Sequence, residues 1–192
     1  MKAALVSRIG TADLPPAWVA GLAVTYGALA LPAGLDSAMP RSAVAASVVL
    51  AAALIVLSVI DLKTFRLPDM LTLPLIAVGI VLTGHLGWDS TGWRIASAAL
   101  GSGSAYLVAR AYEAVRGRSG LGLGDAKLMA ASGAWVGGEG LASVVLYACA
   151  AALVAVAASQ MRKSSMSLST AIPFGPFLAA GTWLVWLYGP LA

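Results

Sequence analysis

A single cysteine and a single histidine are all this chain offers of two side chains much used for metal capture and nucleophilic attack. Cys149 falls inside an apolar run and His85 near the end of another, so the chain supplies no internal disulfide, no Cys-His nucleophile pair and no zinc site of three or four such ligands. Charge is equally scarce. Asp, Glu, Lys and Arg make up 10% of the residues, against roughly a quarter in an ordinary soluble domain. Only eight side chains are acidic. Any chemistry must therefore draw on a few carboxylates, on hydroxyls, or on lysine, with no cofactor implied.

What fills the space is apolar: 60% of the chain is hydrophobic. Runs of about 17 to 25 apolar residues match the thickness of a bilayer's hydrocarbon core. They recur near residues 17–35, 42–60, 71–87, 93–112, 126–137, 140–160 and 172–189, the fifth short enough for a half-span or a tilted helix. The expected fold class is all-α, a polytopic transmembrane bundle of about seven spans. No low-complexity linker or soluble segment interrupts them, so residues 1–192 read as one integral membrane domain in contact with lipid.

Lys and Arg in short loops set orientation, because positive flanks are retained in the cytoplasm. With a cytoplasmic N-terminus, Lys2, Arg8, Lys63, Arg66, Arg110, Arg116, Arg118, Lys127, Arg162 and Lys163 all fall inside, leaving Arg41 and Arg94 outside. This absorbs the net charge of +4, and no basic face interleaved with aromatics remains to bind nucleic acid. "ALALPAG" offers small residues for signal-peptide cleavage, yet a polar leader holding Asp13, Pro15 and Pro16 is a poor positively charged start for one.

Most acidic residues have plain places. Asp36, Asp89 and Glu139 fit outer loops, and Asp13 and Glu113 fit solvated inner flanks. Asp61 and Asp125 do not, since each sits at the cytoplasmic end of an apolar helix, where an unpaired charge is costly. One reading is structural: Asp61 ends a span and Asp125 caps the fifth helix. The other is chemical, because two carboxylates on one membrane face can converge. Such a dyad shares a proton, so one member takes a proton from water while the other donates to the scissile carbonyl oxygen. That is peptide hydrolysis without metal or covalent intermediate.

The surrounding segments fit. "EAVRGRSGLGLGD" is rich in glycine and leaves room for an extended substrate strand, but it lacks the GxxxxGK[ST] pattern of a phosphate-binding loop. Pro68 and Pro74 suggest a turn and a first-turn helix position. Ser97, Gly101 and Ala105 recur every four residues and predict close helix packing.

With these residues in place, "DLKTFRLPDMLTLPLIAVG", "GLGLGDAKLMAASGAWVG" and "IPFGPFLAAG" resemble, in order, the three characteristic segments of bacterial type IV prepilin peptidases, polytopic aspartic proteases of the GxGD class. The resemblance covers about residues 55–181, a catalytic core, and leaves residues 1–40 unplaced. It implies that Asp61 and Asp125 are the catalytic pair. Asp69, Lys127, Gly122, Gly124 and Pro68 take motif positions as supporting residues, and Pro173, Gly175 and Pro176 form either a substrate-channel wall or a helix start. Lys127 biases the dyad toward ionisation, holds the helix start, or is simply a positive flank; Asp69 is expected to cap the third helix.

By the same resemblance, the substrates are type IV prepilins or pseudopilins, cut after a basic leader at the cytoplasmic face of the bacterial inner membrane, for pilus assembly or type II secretion. Many members carry a zinc-binding insertion with paired CxxC motifs and methylate the new N-terminus. One cysteine cannot supply that site, so a peptidase without methylation is expected. Oligomeric state is not legible. The competing classes are an inactive scaffold, a small transporter using the two aspartates, and a GxGD protease with other substrates. Transporters place ionisable groups near the bilayer midplane rather than at helix ends.

Overall fold

Helix α1 (Arg41–Thr64) is followed by α2 (Asp69–His85), α3 (Thr91–Arg116), α4 (Leu123–Met161) and α5 (Gly175–Tyr188) in a computed structural model. It describes residues 21–22, 24–30, 41–85, 90–117, 122–161 and 173–191, and a further helical stretch lies at 21–22 and 24–30. All regular structure among the described residues is helical, so the all-α expectation holds. Most of the 1–40 segment, Asp89, residues 118–121 of the glycine-rich loop, and the Arg162–Lys163 flank lie outside the described residues.

By length and composition, Ser42–Thr64 and Leu123–Ala158 are apolar enough to cross a membrane. The second of these is not one straight helix. Gly137 has φ 80° and ψ 171°, outside the helical region. A side-chain carbon placed on Gly101 of α3 would meet both the Met129 carbonyl and the Leu141 side chain. In a straight helix those two positions would stand about 18 Å apart, at about 1.5 Å of rise per residue. The chain has therefore doubled back at Gly137 into two limbs, 123–136 and 138–161, which divides the run where the apolar pattern placed two spans.

A helix that ends inside a bundle leaves carbonyls without partners. Here side chains supply them. Arg94 Nη1 donates to the Trp135 carbonyl at 3.0 Å, and the Thr83 hydroxyl shares its proton between the Gly79 carbonyl of its own helix at 2.7 Å and the Ala134 carbonyl at 3.2 Å. Arg94, counted among the outer flanks from charge placement, is 4% exposed, and its guanidinium donates to the turn. The Trp135 indole lies against Gly79 and donates to the Leu75 carbonyl at 2.9 Å.

One further expectation shifts at a helix start. α2 begins at Asp69 because the Pro68 carbonyl accepts from the Leu71 and Thr72 amides, which puts Pro74 inside the helix rather than in its first turn. The small-residue stripe of α3 packs as expected, with Ser97, Gly101 and Ala105 all buried. Gly133 of α4 closes the same contact from the other side, facing the Ser97 carbonyl. Helix α5 is tied to its neighbours by aromatic donors: Trp183 to the Tyr26 carbonyl, Trp186 to Ser47 Oγ, and Tyr188 to the Leu29 carbonyl, at 3.1, 2.8 and 2.7 Å.

A methyl group at Gly133 would stand 2.2 Å from the Ser97 carbonyl oxygen, whereas one at Gly103 meets nothing within 4 Å. Gly133→Ala is expected to destabilise by about 1–3 kcal/mol through overpacking, while Gly103→Ala gains up to about 1 kcal/mol of helix propensity. Thermal unfolding of both variants in one detergent checks this; equal melting temperatures would refute the α3–α4 contact.

Candidate active site

Leu50, Leu54, Leu57 and Ser58 of α1 are buried at helical spacing, and the same spacing carries Asp61 inward. Because α1 continues to Thr64, Asp61 lies in its last turn rather than past its end, and is only 5% exposed. Its carboxylate meets the start of α5. The Gly175 amide, one of the donors a helix start leaves over, donates to Asp61 Oδ2 at 3.0 Å. Only glycine permits this approach: a Cβ at position 175 would stand 2.6 Å from that oxygen and 3.0 Å from the carboxyl carbon.

Asp125 is the third residue of α4, within its first turn rather than at the cap. The Gly122 amide donates to its Oδ2 at 3.1 Å, and the Asp125 amide donates to the Gly122 carbonyl at 3.1 Å. This is one half of a capping box, the acid at the third position reaching back to the cap amide, with the backbone carbonyl of Gly122 accepting where a cap side chain would. Asp125 is therefore not the cap residue expected from the sequence, though it does bind a free amide at the helix start. Gly124 is tight against the α1–α2 connection, since a Cβ there would lie 3.1 Å from Leu67 Cβ.

Both carboxylates face one space. A cavity of about 350 Å³ is walled by Asp61, Phe65, Arg66 and Leu67 from the end of α1 and its connection, and by Gly122, Leu123, Gly124, Asp125 and Lys127 from the start of α4. Residues far apart in sequence thus meet where two helix ends converge. Phe65, Arg66, Leu67 and Leu123 were not singled out by sequence. The signal for Phe65 and Leu67 was an apolar pair in an otherwise polar connection directly after Asp61.

The remaining candidates surround the cavity. Lys127 Nζ bonds Asp69 Oδ1, joining the first turns of α4 and α2. With side chains 38% and 59% exposed, this pair contributes about 0–1 kcal/mol. Asp69 is the first helical residue and not the cap. Pro68 starts α2 through its carbonyl and lies outside the cavity wall. Pro173, Gly175 and Pro176 sit at the start of α5, where Pro176 takes an early helical position. Gly175 backs Asp61 rather than facing the cavity. Among the described residues, no group of three or more His, Cys, Asp or Glu converges as a metal site.

Residues 48–157, more than half of the chain, match the type IV leader peptidase family. The chain belongs to that family. Family membership and the apolar helices together identify an integral membrane protein. A prepilin leader peptidase/N-methyltransferase of Burkholderia pseudomallei (strain 1026b) is 38% identical over 142 residues, 74% of this chain and 46% of that protein. Proteins of the same name from Xanthomonas campestris pv. campestris and Aeromonas hydrophila are 34% and 36% identical, over 74% and 75% of this chain and 50% and 49% of their own lengths. The chain thus spans about half the length of the curated relatives it matches. No solved structure is significantly similar to it. In this family member the matched region contains both cavity aspartates, while Gly175 lies beyond it.

Gly175→Ala is expected to drive the Asp61 carboxylate from its seat, because the added methyl occupies the space of Oδ2. Carbodiimide labelling read by mass spectrometry should show Asp61 protected in the wild type and labelled in the variant. Equal protection in both would contradict the contact.

Proposed function

We propose that the chain is a membrane-embedded aspartic endopeptidase that removes the leader peptide of type IV prepilins or pseudopilins. The reading rests on one observation: Asp61 and Asp125 line the same cavity, each fixed by a backbone amide at the start of a helix. Those bonds engage one oxygen of each carboxylate, Oδ2. With the carboxylates sharing a proton, the ionised one takes a proton from water as that water attacks the peptide carbonyl carbon. The protonated one donates to the carbonyl oxygen, giving a neutral tetrahedral intermediate. On collapse a proton passes to the departing nitrogen, and the shared proton is restored.

The remaining details of the proposal follow from the sequence. The chain forms one GxGD-type membrane domain over residues 1–192 with its catalytic core at 55–181, and about seven spans alternate direction. The Lys and Arg bias puts the N-terminus and the cavity on the cytoplasmic face of the bacterial inner membrane. A leader–helix junction would be met there, at the level where water reaches the pair. Asp69, Lys127, Pro68, Gly122 and Gly124 hold the cavity's walls, and the Pro173–Pro176 segment holds Asp61. With one cysteine, this chain's residues supply no zinc-bound CxxC pairs, and cleavage proceeds without methyl transfer by them.

Co-expression with a prepilin-type substrate tests the dyad. Asp61→Asn and Asp125→Asn each keep shape and an acceptor oxygen but lose the ionisable proton, so each should cut cleavage by about 100- to 10,000-fold with the protein still in the membrane. Full activity in either variant removes the mechanism. With S-adenosylmethionine present, the new N-terminus should stay unmethylated; a methylated product would overturn that part alone.

Cleavage by the wild type should also follow a bell-shaped pH profile, because the pair works only when singly protonated, and its two limbs belong to the pair rather than to either residue. A rate unchanged across the carboxylate range would exclude the dyad.

A further inference from the structure

Phe65 follows the last turn of α1 with φ 52°, the one positive φ on a residue other than glycine among the described residues. Its amide closes the helix by donating to the Asp61 carbonyl at 2.9 Å. This left-handed closing position is glycine's by default, since a Cβ there crowds the following carbonyl. A phenylalanine at such a position costs stability. Packing does not offset the cost in full, because the residue is 51% exposed. Residues held in strained backbone cluster at active sites and ligand clamps.

Phe65 lines the cavity that holds Asp61 and Asp125. On the α4 wall stands Leu123, 69% exposed, two residues before Asp125. Buried Leu67 lies between these walls in sequence and packs on Gly124. The carboxylates are therefore flanked by apolar side chains left open to an occupant, in a cavity whose chemistry acts on a peptide. We propose that Phe65 and Leu123 form a subsite for an apolar side chain of the substrate adjacent to the cleaved bond. This rests on the endopeptidase reading and adds a specificity determinant to it. A bilayer-surface anchor, the other use of an exposed aromatic at a span's end, does not account for a strained residue lining a cavity beside two carboxylates.

The test uses the full chain in liposomes and two prepilin-type peptides, one with leucine and one with serine immediately on the helix side of the cleaved bond. Phe65→Gly relieves the left-handed strain, so its melting temperature should rise. Its KM for the leucine peptide should rise about 10-fold or more, the scale of one lost apolar contact, with kcat little changed. The serine peptide should be a poorer substrate for the wild type and should not distinguish wild type from variant. Phe65→Tyr, which keeps the ring, should retain most of the preference.

An unchanged KM in Phe65→Gly, or an equal penalty on both peptides, overturns the subsite. So does loss of membrane retention with unchanged KM, the outcome for a surface anchor. If the wild type cuts neither peptide, the endopeptidase reading fails and the subsite with it. If the wild type cuts both and the variants match it, only the subsite fails.

Discussion

Backbone groups left over where helices end inside a bundle must find partners, and most of this structure follows from how they do. An apolar interior offers no water, so each orphan amide or carbonyl there carries a desolvation cost unless a side chain reaches it. At the cavity end, Asp61 accepts from the first amide of α5 and Asp125 from the amide preceding α4. At the Gly137 reversal, Arg94 and Thr83 donate to the carbonyls of Trp135 and Ala134. Four of the chain's polar side chains are thus committed to helix ends, and these commitments fix where the helices start and turn.

For the two aspartates the structural role and the chemical role proposed for them use one arrangement. A carboxylate in the last turn of α1 faces the unfavourable end of its own helix dipole, yet it meets the favourable end of α5. Asp125 sits at the favourable end of α4. Backbone amides that position a carboxylate do not rearrange when a proton moves, so the pair is held in a preorganised setting. The glycines serve the same end by subtraction. Gly175 lets a helix start touch Asp61, and Gly124 lets the start of α4 lie against Leu67.

Much of this was legible in the sequence because it depends on composition and period. Apolar runs of bilayer length marked the helices, and the break near Gly137 separated two limbs that helix length alone would merge. Asp61 and Asp125 stood out because charge is rare in such a chain. The bond Arg94 makes was not legible, because loop-flank statistics carry no information about a carbonyl 41 residues away that needs a donor. Phe65 was passed over because its significance lies in a backbone angle, and Asp69 was assigned to a cap that the Pro68 carbonyl provides instead.

The sequence by itself determined the helices, the shortage of ionisable groups, and the family whose segments it carries, since all three reside in local pattern and residue identity. Only the tertiary structure decided that Asp61 is bound by the first amide of α5, that Lys127 pairs with Asp69, and that both aspartates open on one cavity with Phe65 and Leu123. Those are contacts between segments far apart along the chain. Their formation depends on backbone approach distances, set by glycines and helix ends, which no local pattern encodes.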